Sequence, residues 1–326
     1  MKIFELWPEE KIYSFNDILI RAKKETTKEY NFLSESCVIH ATKCSQTATL
    51  ASGKIAMFLS EYLNIPLVDD KKHFSKNKRK YKYLFIVSSL FNWCHFLDDL
   101  KKLISNADKI IWVQNDYAIK PPKLWQNKIY SVWTTIKFLE NDEKTFYINW
   151  NKLLYIDIPN LYHNKIDKLF YYGAFRKKRI KYFEKYFIDP EYKMAISASH
   201  KAKRKYYDIN SNIDIVPPCK NLTQIIAKYA ATIYIEDTWS HENYCSPANR
   251  FYECVGAGIP ILFDNNCAKT FDIAGYDISQ YIVSNKEDIF KKWDDLKNIQ
   301  KNQNIWKRDY VKELFSEINN ALKQMR

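Results

Sequence analysis

The apolar positions in the first third of the chain fall into short blocks of two kinds. CVIHA (37–41), IPLVD (65–69), YLFIVSS (83–89) and KIIWVQ (109–114) are runs of strand length, and TATLASGKIAMFLSEYL (47–63) and FLDDLKKLISN (96–106) read as helices between them. Strands alternating with helices of this length predict a parallel, doubly wound sheet, which Pro121-Pro122 interrupts. Residues 1–35 are weakly patterned and predict helical segments packed on this first domain.

A second series follows. KLFYYGAF (168–175) and YKMAISAS (192–199) read as strands running into loops, DIVPP (214–218) as a short strand and turn, and LTQIIAKYA (222–230) as a helix. ATIYIED (231–237) and IPILFD (259–264) are further strands around a helix at 247–257. The polar stretch 287–326 predicts a helix that breaks in two and returns to the first domain. The expected organisation is α/β: two Rossmann-like doubly wound domains, 1–166 and 167–305, with an interdomain cleft, and a C-terminal helix at 306–326 that packs back on the first.

Three places carry candidate chemistry. In YCSPANRFYECVGAGIPILFD (244–264), Ser246 is a favoured N-cap and Pro247 suits the first helical position. Arg250 and Glu253 then share one helix face, while Phe251, Cys254 and Val255 take the other. A helix N-terminus attracts anions, and the rise of ~1.5 Å per residue puts Glu253 roughly 9 Å along the axis from Pro247, about a diphosphate plus a ribose. Spacing alone also fits a surface Arg–Glu pair. In YYGAFRKKR (171–179), Gly173 permits close backbone approach and Arg176 follows at once, which suits a phosphate cradle or, more simply, a basic turn. Asp116 stands just past the strand 109–114, where it can act as a general base or cap a turn.

Composition narrows the partners. A formal net charge of +13 in 326 residues points to a polyanion, either nucleic acid or a membrane surface, unless the lysines are only a solvated surface. The densest basic stretch, KKHFSKNKRKYK (71–82), contributes Lys71, Lys72, Lys76, Lys78, Arg79, Lys80 and Lys82 as candidate phosphate-backbone contacts, without base reading. RKKRIKYFEK (176–185) and HKAKRKYY (200–207) add basic residues interleaved with aromatics. Seven cysteines without a CxxC pair, and histidines without ligand spacing, favour neither a disulfide framework nor a metal site. No signal peptide or spanning helix is expected, so a cytoplasmic protein with no membrane partner is. SGK (52–54) lacks the first glycine of a phosphate loop, Ala48 standing in its place.

Together these residues resemble the phage DNA β-glucosyltransferases, GT-B enzymes that move glucose from UDP-glucose onto hydroxymethylated bases, over roughly residues 37–290. Gly173-Ala174-Phe175-Arg176 is similar to the family's Gly-Ser-Phe-Arg turn, with Arg179 near its next arginine, and Arg250-Phe251-Tyr252-Glu253 is similar to its Arg-x-x-Glu helix. The resemblance implies that Arg176 and Arg250 contact the diphosphate, with Ser246 at the helix opening, and that Glu253 contacts the ribose. Ser197-Ala198 takes the place of a Gly-Asn turn, with Ser199 sharing its role, and Pro218, Cys219 and Lys220 form the uracil turn. Asp116 corresponds to the catalytic aspartate.

The implied activity is transfer of a sugar, glucose first, from a UDP-sugar to a hydroxylated or hydroxymethylated pyrimidine such as hydroxymethylcytosine in double-stranded phage DNA. The base would be flipped out and the anomeric centre inverted, in an infected host cell. A monomer is expected, with no dedicated metal site, which leaves room for a loosely bound Mg²⁺. A glycosyltransferase acting on cell-surface polysaccharide or a lipid-linked acceptor is the alternative; a non-catalytic nucleic-acid-binding protein on the same fold is a third reading.

Overall fold

A computed structural model of the chain describes residues 15–25, 32–40, 51–68, 79–87, 97–115, 123–136, 143–156, 165–173, 175–217, 225–244, 246–307 and 310–325. These form two compact units, 13–156 together with 309–326, and 157–308. Among the described residues no helix is long and apolar enough to cross a membrane.

The first unit holds six parallel strands, β1 (Ser36–Ile39), β2 (Leu67–Val68), β3 (Tyr81–Val87), β4 (Ala107–Gln114), β5 (Ile129–Thr134) and β6 (Thr145–Tyr147), in the order β2-β1-β3-β4-β5-β6. Helices α1 (Phe15–Glu25), α2 (Ala51–Leu63) and α3 (Leu97–Ser105) accompany them. Alternate residues of the central strands serve two cores, as a sheet covered on both faces requires. Tyr83, Phe85, Val87, Ile111 and Val113 join one core with α2, and Leu84, Ile86, Ile110 and Trp112 join the other with Leu103 and Ile104 of α3. SGK (52–54) lies within α2, so it forms no phosphate loop.

The C-terminal helix (Tyr310–Gln324) belongs to this unit and adds Leu314, Phe315, Ile318, Ala321 and Leu322 to the first core. Phe315 stacks on Tyr62 with ring centroids 4.9 Å apart, the Tyr62 hydroxyl donates to Asn319 at 2.6 Å, and Glu317 accepts the Asn149 N–H at 2.8 Å.

The second unit repeats the plan with β7 (Ile166–Tyr172), β8 (Met194–Ser197), β9 (Asp214–Val216), β10 (Tyr229–Tyr234), β11 (Ile261–Asp264) and β12 (Ile282–Val283), all parallel, in the order β12-β11-β10-β7-β8-β9. Its helices are α4 (Ile180–Phe187), α5 (His200–Tyr207), α6 (Thr238–Tyr244), α7 (Asn249–Ala257), α8 (Ala268–Ile273), α9 (Lys286–Lys291) and α10 (Leu296–Gln303). Numbered from β7, this is the Rossmann order 3-2-1-4-5-6, and the chain reverses direction across the sheet between β7 and β10.

Tertiary contacts move several expected boundaries. Residues 222–230 read as helix, but β10 already begins at Tyr229, which pairs with Ile166 and stacks on Phe170 with centroids 4.5 Å apart. The tail 287–326 forms three α-helical segments rather than two. Its breaks fall at aromatic anchors: the Trp293 indole donates to Asp167 at 2.9 Å, and Trp306 packs its ring on Phe251 and Tyr281. Gln303 adds a third anchor, accepting the Ile261 N–H at 2.8 Å and donating to its carbonyl at 2.7 Å. Strands β5, β6 and β12, short or aromatic-rich, carry no clear sequence signal.

Candidate functional site

Because all strands of the second sheet are parallel, β7, β8 and β10 end on one edge, and the switch point between β7 and β10, where open α/β sheets bind ligands, lies on it. Tyr172 ends β7 and leads into Gly173; Tyr234 ends β10 and leads into Ile235, Glu236 and Asp237. Arginines from two helical segments converge on this spot.

Glu236 is the hub. The residue is 6% exposed, and its carboxylate pairs through one oxygen with Arg179 Nη2 and through the other with Arg250 Nη2. Arg250, 8% exposed, also donates to the Ile235 carbonyl, and its guanidinium lies 4.6 Å from the Tyr234 ring centroid. Asp237 sits beside this clamp, 3.5 Å from Arg179 Nε and 3.7 Å from Arg176 Nη1. Three guanidiniums therefore face two carboxylates, and Arg176 keeps half of its side chain exposed. Among the described residues, Arg250 Nε and the Tyr171 hydroxyl are buried without a hydrogen-bond partner.

Asp237 also caps α6, accepting the Ser240 N–H at 3.1 Å and its hydroxyl at 3.2 Å. Burial alone would raise its pKa, but the Ser240 hydrogen bonds and the arginines hold it below the ordinary value. Burial, reinforced by neighbouring Arg250, pulls the Arg179 pKa down.

Gly173 is the reason the backbone passes so close. At φ +154°, a Cβ there would lie 2.9 Å from Arg250 Nη1 and 3.0 Å from the Tyr171 hydroxyl. The Tyr172 hydroxyl donates to Glu253 at 2.5 Å and to the Arg250 carbonyl at 3.1 Å, so the last residue of β7 orients the helix glutamate. Burial pushes the Tyr172 phenol well above its ordinary pKa, with Cys254 and Glu253 adding to the effect, so it remains a donor.

The helix carrying Arg250 starts later than its sequence predicts. Ala248, not Ser246, is its N-cap, and Pro247 precedes the helix, because the Tyr234 hydroxyl accepts the Ala248 N–H at 2.8 Å and fixes an extended entry. Ser246 stands in a bend before it. Gly258 closes the helix at φ 63°, in the left-handed region that glycine tolerates.

The remaining expected residues scatter. Phe175 packs with Phe183 and Tyr206, ring centroids 5.4 and 5.0 Å away, which is a packing role. Ser197 ends β8, and Ser199 caps α5 through its backbone carbonyl, 2.9 Å from the Ala202 N–H. Arg79, Lys80 and Lys82 are exposed around the start of β3, at the amino edge of the first sheet. Asp116, Ala174, Pro218, Cys219, Lys220, Lys71, Lys72, Lys76 and Lys78 lie outside the described residues. Glu236, Asp237 and Tyr172 were not among the expected site residues. Their signal was two consecutive acids closing an apolar strand, and an aromatic directly before the phosphate-type glycine.

Two parallel doubly wound sheets, the second in Rossmann order with charged side chains gathered at its switch point, define the GT-B glycosyltransferase architecture. The structure is similar to T4 phage BGT in complex with UDP and Mn²⁺, at 14% identity and a TM-score of 0.58, over 88% of this chain and 97% of that one. The same T4 phage protein with its UDP-glucose substrate gives 13% identity and a TM-score of 0.57 over 89% and 97% of the two chains. Anabaena Alr3699/HepE in complex with UDP and glucose gives 7% identity and 0.56 over 89% and 99%. At these identities the likeness is one of fold. No protein-family model and no curated protein matches the chain.

Two outcomes follow from the geometry. Gly173→Ala forces a Cβ against Arg250 and Tyr171, both packed, and is expected to destabilise the protein by about 1–3 kcal/mol in urea unfolding; an unchanged midpoint contradicts the close approach. Asp237 contributes stability that is complete above the ordinary aspartate pKa of 3.8 and is lost as the pH falls through its lower folded value. The stability difference between wild type and Asp237→Asn should therefore close in acid, and a constant difference from neutral to strongly acid pH contradicts the assignment.

Proposed function

We propose that the chain is a UDP-sugar-dependent glycosyltransferase that moves a sugar, glucose first, onto a hydroxylated or hydroxymethylated pyrimidine of double-stranded phage DNA. The observation that carries this reading is the set of arginines at the β7–β10 switch point, with Glu253 held one helix turn from Arg250. A diphosphate is the ligand such a cluster suits. Planar guanidinium forks match phosphate oxygens, Gly173 lets Arg250 and Tyr171 pack against the backbone, and Arg250 Nε and Tyr171 supply buried donors without partners among the described residues. The GT-B fold, common to T4 phage BGT with its UDP-glucose substrate and to HepE with UDP and glucose, supports UDP as the nucleotide.

In this reading Glu253 accepts hydrogen bonds from the ribose hydroxyls, and Tyr172, kept protonated by burial, fixes its orientation. Arg176 and Arg250 hold the diphosphate. Asp116 takes the proton from the acceptor hydroxyl, whose oxygen attacks the anomeric carbon as the bond to UDP breaks and UDP leaves with the electron pair. A single displacement of this kind inverts the anomeric centre, and the arginines stabilise the charge that gathers on the departing diphosphate. A base inside a duplex is reached only when flipped out, at a cost of a few kcal/mol. The fold shared with a protein described as the DNA modifying enzyme β-glucosyltransferase, and the basic surface of this chain, favour DNA as the acceptor.

The test offers several UDP-sugars with DNA containing hydroxymethylcytosine, hydroxymethyluracil, hydroxycytosine or unmodified cytosine, and weighs the digested nucleosides. A hexose mass is expected on one modified base, and Asp116→Asn should lower its rate by roughly 10²–10⁴-fold. If no DNA gains a sugar mass while a lipid-linked or polysaccharide acceptor does, the DNA reading is wrong and the alternative acceptor class holds.

A further inference from the structure

The basic residues that share a unit with the candidate diphosphate site are those of the stretches 176–185 and 200–207. Arg79, Lys80 and Lys82 flank the start of β3, so they sit at the amino edge of their sheet. In an α/β sheet the ligand edge is the opposite one, and the seven residues of β3 put roughly 20 Å between the two.

The second unit has its own cations on the ligand edge. β8 ends at Ser197 and α5 starts three residues later, so its opening turn lies at the carboxyl end of the sheet. Lys201, Lys203, Arg204 and Lys205 of this helix are all exposed, and among the described residues no ion pair engages them. Tyr206, between them and the sheet, is fully buried against Phe175 and Phe183. Lys205 is fixed to the same edge: its Nζ lies 5.3 Å from the ring centroid of Phe175, the residue before Arg176.

Lys177 and Lys178, exposed after β7, continue the positive rim, and Lys178 Nζ stands 5.3 Å from the ring of Trp239, which is 41% exposed behind β10. Neither RKKRIK (176–181) nor HKAKRKYY (200–207) contains a carboxylate.

We infer that this rim, α5 with Lys177 and Lys178, is a phosphate-backbone binding surface for duplex DNA, supplied by the nucleotide-sugar unit itself. The inference rests on the DNA-acceptor reading and deepens it, since it places a grip on the acceptor beside the donor arginines. Exposed lysines and an arginine with no ion pair among the described residues suit a row of phosphates: each contact releases condensed counterions and binds without regard to sequence. Trp239 gives the same edge an apolar face on which a displaced base can stack.

The experiment compares wild type with a K201Q/K203Q/R204Q/K205Q variant, and with a K201R/K203R/K205R variant that keeps the charge. Affinity for a duplex of about two helical turns is followed against salt, with UDP affinity as the check that the unit is folded. The glutamine variant should bind the duplex at least 10-fold more weakly and lower the slope of log K against log salt by about 3.6, at unchanged UDP affinity. The arginine variant should bind as wild type does. Equal affinity and slope in the glutamine variant overturn the inference, as does loss of binding to phosphatidylserine vesicles with duplex binding intact. The two readings fail separately. Sugar transfer to DNA by a wild type whose duplex binding ignores the four glutamines defeats the surface alone; a variant-sensitive slope with no transfer to any DNA defeats the acceptor reading alone.

Discussion

The second unit is organised around one buried carboxylate shared by two buried guanidiniums. Arg179 and Arg250 come from different helical segments, and without Glu236 Arg250 would carry a buried, uncompensated charge beside Gly173 while Arg179 would keep only the longer contact with Asp237. Removing one partner of such a buried group costs about 3–5 kcal/mol, so this clamp constrains everything near it. It requires glycine at 173, sets the depth of Arg250 in the sheet edge, and leaves the half-exposed Arg176 as the outermost guanidinium. The same residues that make the site electropositive thus hold the crossing from β7 to β10 in place.

A site built this way is preorganised. Tyr234 caps the Arg250 helix with its hydroxyl and supports the guanidinium on its ring, Tyr172 orients Glu253, and Asp237 holds α6 while it balances Arg176 and Arg179. Each of these side chains is thereby tied to the end of a strand in the parallel sheet. The ordering of charged groups takes place during folding, so an anionic ligand of the kind proposed would meet donors that need little rearrangement.

Much of this was legible from the residues. Strands of continuous apolar character and a helix read over 47–63 and described over 51–63 stood out because burial on both faces leaves a strong pattern, and Arg250, Glu253 and Gly173 stood out because their spacing fits an anion site. Glu236 and Asp237 were hidden for a physical reason: their meaning depends on β10 lying beside β7, a pairing across more than fifty residues that no local pattern encodes. Tyr234 likewise moved the start of the Arg250 helix through a contact remote in sequence. The breaks in the C-terminal tail followed Trp293, Gln303 and Trp306, whose anchors lie in other elements.

The central claim is that the arginines at the β7–β10 edge hold the diphosphate of UDP. Calorimetric titration of UDP into wild type and Arg176→Ala tests it most directly, because the half-exposed Arg176 can be removed without opening the buried clamp. Binding to the wild type with an affinity roughly 10–100-fold weaker in the variant is the predicted result. Equal affinity in the two proteins, or no binding to either, would contradict it.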